Sequence, residues 1–455
     1  MNALPPRKPR PALPEGPFLV VGLARSGQAV ARMLVARGAS VLGVDSGHPE
    51  GAAGLTGAGV EVFPDTDGLA QLDATRTVVK SPGVPRGAPV IAAALERGLD
   101  VVGELELAWR AVPNRTLAVT GTNGKTTTVE LLGHIYRTAG EPVAVAGNVG
   151  TPLSSLAATV DADATVVCEA SSFQLEDTTA FAPECAVFLN LAPDHLDRHA
   201  GLDAYREAKL RIFANQGNDD IAIYNADEPA LAGVDLGGCA RRIAFCRGAA
   251  PGCEVSLAEG TIFYDGEPLI ATAELGLFGE HNVANAMAAA SAALAMGLDR
   301  DAVCEGLRSF AGVPHRLEQV AEIGGVRFVN DSKATNVASA VVGIGAFEGG
   351  VHAILGGSEK NEPFGPLAGP VAERCAACYL IGASADRLAA ELEPALDGGV
   401  ELHRCDDLGD AVRRAAAAAA PGEVVLLSPA CASFDSFENF ERRGDRFREI
   451  VAELS

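Results

Sequence analysis

Thr116-Leu-Ala-Val-Thr120-Gly121-Thr-Asn-Gly-Lys125-Thr-Thr-Thr128 decides the fold. A short apolar, β-branched run enters a glycine turn, and a lysine with three hydroxyl residues then opens an apolar-periodic helix. Strand, turn and helix in this order build a P-loop, whose amides cradle phosphates while Lys125 neutralises charge and Thr126 ligands Mg²⁺. The general pattern has its first glycine where Val119 stands, so the loop is a variant. A strand feeding a helix belongs to an α/β sheet, and ligands gather at the carboxyl ends of its strands.

Working downstream, Thr165 to Cys168 reads as a strand delivering Glu169, and Ala186 to Leu191 as one delivering Asp194 and His195. Mg²⁺ prefers oxygen ligands, which makes Glu169 a natural metal residue and leaves His195 open between ligand and bystander. Lys209 lies in the helical pattern 205–213, on one face with Phe213, and taken alone reads as a snorkelling lysine.

Upstream, Phe18 to Val21 and Ser40 to Val44 are strands of a βαβ unit ending at Asp45. Its turn, Gly22-Leu-Ala-Arg-Ser-Gly27, has Ala24 at the middle position where G-x-G-x-x-G admits a pyrophosphate, which disfavours an NAD oxidoreductase. After Gly312-Val-Pro314, strands at 326–329, 351–355, 378–381 and 424–427 alternate with helical segments 384–392 and 407–420, a second doubly wound sheet. Polar clusters at 330–336, 356–360 and 428–433 follow these strands as ligand loops.

A chain of 455 residues predicts two or three domains. With 59 acidic against 36 basic residues, its charge of −23 repels nucleic acid. Residues 1–17, with six prolines, read as a disordered arm; no apolar run reaches membrane length, which predicts a cytoplasmic protein with no membrane partner. Cys375-x-x-Cys378 lacks a second pair and reads as ordinary thiols, and the spacing of Cys239, Cys246 and Cys253 reads as chance.

Together with Gly147-Asn-Val-Gly150, Glu169-Ala-Ser-Ser-Phe-Gln-Leu-Glu176, Asn190-Leu-Ala-Pro-Asp-His-Leu-Asp-Arg198, Asp331-Ser-Lys-Ala-Thr-Asn336 and Ser428-Pro-Ala-Cys-Ala-Ser-Phe-Asp435, these residues give a chain that resembles the Mur ligase family. The resemblance covers nearly everything after residue 17. It implies an α/β fold of three domains: a Rossmann-like UDP-sugar domain (18–103), a central P-loop-type ATPase with a mostly parallel sheet (104–312) and a Rossmann-like amino-acid domain (313–455). It implies a cytoplasmic, monomeric, ATP-dependent amide-forming ligase of peptidoglycan precursor synthesis. The Asp-Asn-Pro-Arg motif of the diamino-acid-adding relatives is absent, which favours D-glutamate as acceptor and UDP-N-acetylmuramoyl-L-alanine as donor. A Mur-type or folylpolyglutamate-type ligase with another acceptor, and a non-catalytic nucleotide-sugar-binding subunit, are the alternatives.

Residue by residue, the resemblance assigns ATP to Gly121, Thr122, Asn123, Gly124, Lys125, Thr126, Thr127, Asn282, Asn285, His315, Arg316, Asp331 and Lys333. Two Mg²⁺ ions fall to Thr126, Glu169, His195 and Lys209, with Lys209 carbamylated, since a carbamate offers anionic oxygens where an ammonium would repel. Lys125, His195, Lys209 and Lys333 form the catalytic set. Thr335, Lys360, Ser433, Phe434 and Phe440 are assigned to D-glutamate. The UDP-sugar falls to the first turn with Ser26 and Gly27, and to Asp45, Ser46, Ser81, Gly83, Asn148, Ser171 and Gln174.

Overall fold

The computed structural model describes residues 4–454 except 195–197, 232–233, 249–251, 278, 359–361 and 397–398. The chain divides into two units, residues up to Leu275 with His281–Phe310, and Gly276–Glu280 with Ala311–Ser455.

The first unit carries two sheets. The smaller has β1 (Phe18–Val21), β2 (Val41–Val44), β3 (Glu61–Phe63), β4 (Thr77–Lys80) and β5 (Asp100–Gly103), all parallel in the order β3-β2-β1-β4-β5. β1 and β4 are buried along their whole length, as inner strands of a sheet covered on both faces must be. Strand order reverses between β1 and β4, so the crevice of this sheet opens beyond their carboxyl ends.

The larger sheet contains β6 (Thr116–Thr120), β7 (Val143–Gly147), β8 (Thr165–Glu169), β9 (Cys185–Phe188), β10 (Ile221–Asn225), β11 (Arg241–Arg247), β12 (Val255–Ala258), β13 (Thr261–Tyr264) and β14 (Glu267–Ala271). Its order is β14-β13-β12-β11-β10-β9-β6-β8-β7, parallel except for the terminal β12-β13-β14 meander. β6 sits at the reversal, and the phosphate-type turn leaves its carboxyl end. In the second unit, β15 (Glu318–Ile323), β16 (Val326–Asn330), β17 (Val351–Gly356), β18 (Cys375–Ile381), β19 (Glu401–Arg404) and β20 (Val424–Leu427) form a sheet in the order β15-β16-β20-β17-β18-β19, with only β15 antiparallel. Apolar clusters cover both of its faces.

Three expectations are corrected. Residues 4–17 are not a loose arm: Arg10 pairs with buried Glu184 at 3.0 Å and lies over the Trp109 ring, Lys8 pairs with Asp220, and Arg7 with Asp163. Each cation meets a carboxylate just before a central strand, and the prolines lower the entropy lost on docking. β9 ends at Phe188, short of Leu191, because Asn190 turns its amide toward the loop after β6. Cys246 and Cys253 form a disulfide between β11 and the segment entering β12, so their spacing is not chance; Cys239 is free and exposed. Cys375 and Cys378 are free thiols, the second buried.

Candidate active site

Gly121 and Gly124 take φ of 155° and 81°, a left-handed backbone that glycine adopts without strain, and a Cβ on Gly124 would overlap the Asn285 amide. Gly124 caps the helix Lys125–Thr138 and aims its N-terminus at the turn. Lys125 Nζ donates to the carbonyls of Gly121 (2.9 Å) and Thr122 (2.8 Å), which holds the ammonium over the loop. The amides of Thr122 and Asn123 donate to Asn190 Oδ1 at 3.1 and 2.9 Å.

Around this loop the expected metal residues converge in part. Thr126 Oγ1 donates to Glu169 Oε2 at 2.7 Å, and Asn148 Nδ2 to Glu169 Oε1 at 3.0 Å; Glu169 is buried at the end of β8. Lys209, on the helix Leu202–Leu210, is only 1% exposed, with Nζ 2.7 Å from Gly121 O and 4.5 Å from the centre of the Tyr205 ring, so its ammonium reaches the loop after β6 and does not snorkel to solvent. Burial first, and the Lys125 ammonium second, pull its pKa well below the usual lysine range. His195 lies outside the described residues.

The donor set fits a hard divalent cation: a buried carboxylate and a hydroxyl side by side, with an amine at the same loop. Among the described residues no three acidic, imidazole or thiol groups converge. Asn282 and Asn285 are joined by a 3.0 Å bond on the helix Glu280–Ala295, beside Thr128; Thr127 is half-buried in the first turn of its helix.

Of the UDP-sugar candidates, Ser26, Gly27, Asp45, Ser46, Ser81 and Gly83 follow β1, β2 and β4 of the small sheet, while Asn148, Ser171 and Gln174 follow β7 and β8 of the larger one. Ser81 Oγ donates to Gly22 O at 2.6 Å, and a Cβ on Gly27 would overlap that same carbonyl, so this glycine is needed for close helix–strand approach. Asp45 accepts from Leu23 N (2.7 Å) and Gly47 N (3.0 Å), stitching the turn after β1 to the loop after β2. Ser171 and Gln174 form a reciprocal capping box at the helix Ser172–Leu175. Ser46, Gly83 and Asn148 are exposed, and Ser26 is half-buried.

In the second unit, Asp331 follows β16 and accepts from Ser428 Oγ (2.8 Å) and Leu317 N (3.3 Å); burial pushes its pKa up to about 7 against those two bonds. His315, at φ 63°, bonds Asn330 through Nδ1 (3.0 Å) and meets the Phe440 ring edge-on; burial, then Arg448, holds its pKa down. Lys333 Nζ lies 5.4 Å from the centre of the Phe440 ring. Among the described residues the buried Ser433 hydroxyl has no hydrogen-bond partner, whereas the adjacent Phe434 is 74% exposed. Arg316 donates from its backbone to Val313 O, Thr335 is half-buried, and Lys360 lies outside the described residues.

Sequence reasoning missed two buried cations. Arg443, 1% exposed, donates to Ser332 Oγ and O and to the carbonyls of Cys431 and Ala432, tying the loop after β16 to that after β20. Lys80, 0% exposed, ends β4. Lys80 follows an apolar run and Arg443 stands in a charged helix, and neither local context signals the distant partners.

These loops, hung on three mostly parallel sheets, define an ATP-dependent ligase architecture, and the family matches agree segment by segment. Residues 17–103 match the Mur ligase MurD-like N-terminal domain, 119–293 the Mur ligase middle domain, and 315–431 the Mur ligase glutamate ligase domain; the chain belongs to the Mur ligase family. It is 43% identical to proteins named UDP-N-acetylmuramoylalanine--D-glutamate ligase from Acidobacterium capsulatum, over 95% of each chain, and from Pelotomaculum thermopropionicum, over 96% of this chain and 97% of that one. Among solved structures, UDP-N-acetylmuramate-alanine ligase MurC from Thermotoga maritima shares the fold, at a TM-score of 0.60 and 19% identity, covering 97% of this chain and 100% of that one.

Proposed function

We propose that this chain joins D-glutamate to UDP-N-acetylmuramoyl-L-alanine at the expense of ATP, the two joined partners being those in the name of its relatives, UDP-N-acetylmuramoylalanine--D-glutamate ligase. One observation carries the chemistry: Lys125 and Lys209 both bond the Gly121 carbonyl while Glu169 grips Thr126 at the same loop. The three domains then take residues 18–103 for the UDP-sugar, 104–312 for ATP and 313–455 for the amino acid, and the protein works as a cytoplasmic monomer.

A carboxylate is a poor acyl donor to an amine, so the alanyl carboxylate first attacks the γ-phosphoryl group in line, giving an acyl phosphate and ADP. Lys125 spreads the charge that develops on the phosphoryl oxygens, and Lys333 is assigned to the same group. The D-glutamate amine, after losing a proton, attacks the acyl carbon and phosphate leaves. Bound Mg²⁺, two ions in this proposal, supplies charge neutralisation on the phosphates; Thr126, Glu169, His195 and a carbamylated Lys209 hold it. Thr335, Lys360 and Ser433 offer cationic and hydroxyl donors to the dicarboxylate.

The test is phosphate release from MgATP with the UDP-sugar, comparing D-Glu, L-Glu, D-Ala, L-Lys and no amino acid, for wild type and Lys209→Ala. Release with D-Glu alone, lost in the variant, is expected. Turnover preferring another amino acid overturns the acceptor, and binding without turnover overturns the enzyme.

A further inference from the structure

Among the described residues, three cationic side chains are buried: Lys209 in the central region, Arg443 in the second unit, and Lys80 in the small sheet. Lys209 holds the phosphate-type loop and Arg443 holds the loops carrying Ser332 and Ser433. Lys80 has no part in the chemistry above, although a buried charge costs several kcal/mol to desolvate unless its partners are well placed.

Its partners are well placed. Lys80 Nζ lies 2.8 Å from Asp177 Oδ2 and 3.5 Å from Glu176 Oε1, and donates to Val84 O at 2.9 Å. Asp177 is itself buried, receives Arg86 Nε at 3.6 Å on its other oxygen, and accepts from Gly103 N through its backbone carbonyl. On the Lys80 side, the chain runs directly into Ser81 and Gly83, and the Val84 amide closes that turn on Ser81 O at 3.0 Å. On the Asp177 side, two residues back is the end of the helix Ser172–Leu175, which begins at the Ser171–Gln174 capping box. One ammonium thus ties together two segments, distant in sequence, that carry four of the residues assigned to the UDP-sugar.

We propose that Lys80 is a positioning residue for the UDP-sugar substrate, fixing the spacing between the Ser81–Gly83 wall and the Ser171–Gln174 wall through its grip on Asp177. The proposal rests on the assignment of that substrate above. An apolar side chain at the end of β4 would fill the same volume but leave the buried Asp177 carboxylate with only the more distant Arg86 at 3.6 Å and the turn unpinned, so the walls would drift by fractions of an ångström. Because neither ATP nor D-glutamate is assigned to these walls, the effect is confined to one of three substrates.

The experiment measures steady-state constants for all three substrates, and calorimetric binding of UDP-N-acetylmuramoyl-L-alanine alone, with wild type, Lys80→Met, Asp177→Asn and the double variant. Lys80→Met raises both Kd and KM for the UDP-sugar about ten-fold or more, with kcat at saturation and the other two KM values within about two-fold. Asp177→Asn, which keeps an acceptor, moves the same constant less, and the double variant is no worse than Lys80→Met alone because the two act as one unit. A lower melting temperature with all three KM values unchanged would overturn the proposal and leave Lys80 a structural pin. If Lys80→Met gives no cooperative melt, Asp177→Asn decides by the same split. Failure of wild type to bind the UDP-sugar overturns the substrate assignment itself, a separate result from equal binding by wild type and variant.

Discussion

Two turns in the first unit share one build, a buried parallel strand, a glycine-bearing turn and a helix, yet they are equipped for different ligands. After β1, the Leu23 amide donates to the Asp45 carboxylate, the middle position is Ala24 in extended backbone, and no lysine stands in the turn. After β6, the Thr122 and Asn123 amides donate to a neutral amide, Asn190, the glycines are left-handed, and Lys125 and Lys209 converge on Gly121. Turn geometry alone offers an anion a helix N-terminus in both places. The neighbours differ: the Asp45 carboxylate and Arg25 stand at the first turn, which suits a ligand offering hydroxyl or N–H donors beside an anionic group, while the Lys125 ammonium held over the second draws phosphate in.

The comparison breaks most directly at Lys125. Lys125→Met is expected to lower kcat by about 10³-fold, because the charge on the transferring phosphoryl group loses its nearest fixed cation. Phosphate release measures it, and a variant with near-wild-type kcat would make the two turns electrostatically equivalent.

Close approach is needed at the β1 turn as well, so Gly27→Ala should cost about 2–3 kcal/mol of stability through overlap with Gly22 O, read by denaturant unfolding. A pH-limited effect comes from the carboxylate after β16 in the second unit. Burial raises Asp331 from 3.8 to about 7, so on raising the pH the unfolded chain ionises first and the fold loses stability from about pH 4 until it flattens above about pH 7. Asp331→Asn removes that slope; melting temperatures across the window, with the variant gaining on wild type as pH rises, check it. The smallest effect is expected for Asp45→Asn, which keeps one acceptor and loses a charge-assisted bond, about 1 kcal/mol by denaturant unfolding with the KM for ATP unmoved.

Strands at sheet centres were legible because burial on both faces demands an unbroken apolar run: β1, β6 and β20 fall where Phe18–Val21, Thr116–Thr120 and Val424–Leu427 predicted them. Strands toward one end of the central sheet were not, since the inner β11 opens with exposed Arg241-Arg242 and the edge strand β14 with exposed Glu267-Pro268, so neither begins as an apolar run. At the site, the loop after β6 and Glu169 were visible as strand-end chemistry. The burial of Lys209 was invisible, for a helix pattern does not reveal that Tyr205 and Gly121 enclose one lysine. Lys80 finds Asp177 and Arg443 finds Cys431 by tertiary closure, and no local spacing encodes either.

Residues 4–17 bear on how the chain is made. Glu184, Asp220 and Asp163, which receive Arg10, Lys8 and Arg7, all precede strands at the amino ends of the central sheet, the edge away from the turn after β6. A ribosome emits the cations first and the carboxylates some 150 to 210 residues later, as the separations of 156, 174 and 212 residues require. The segment can therefore complete its ion pairs only once Asp220 has been made, after β6, β8 and β9 have been synthesised. Shortening it would leave the phosphate edge untouched and register instead in the rate at which nascent chains reach a protease-resistant state.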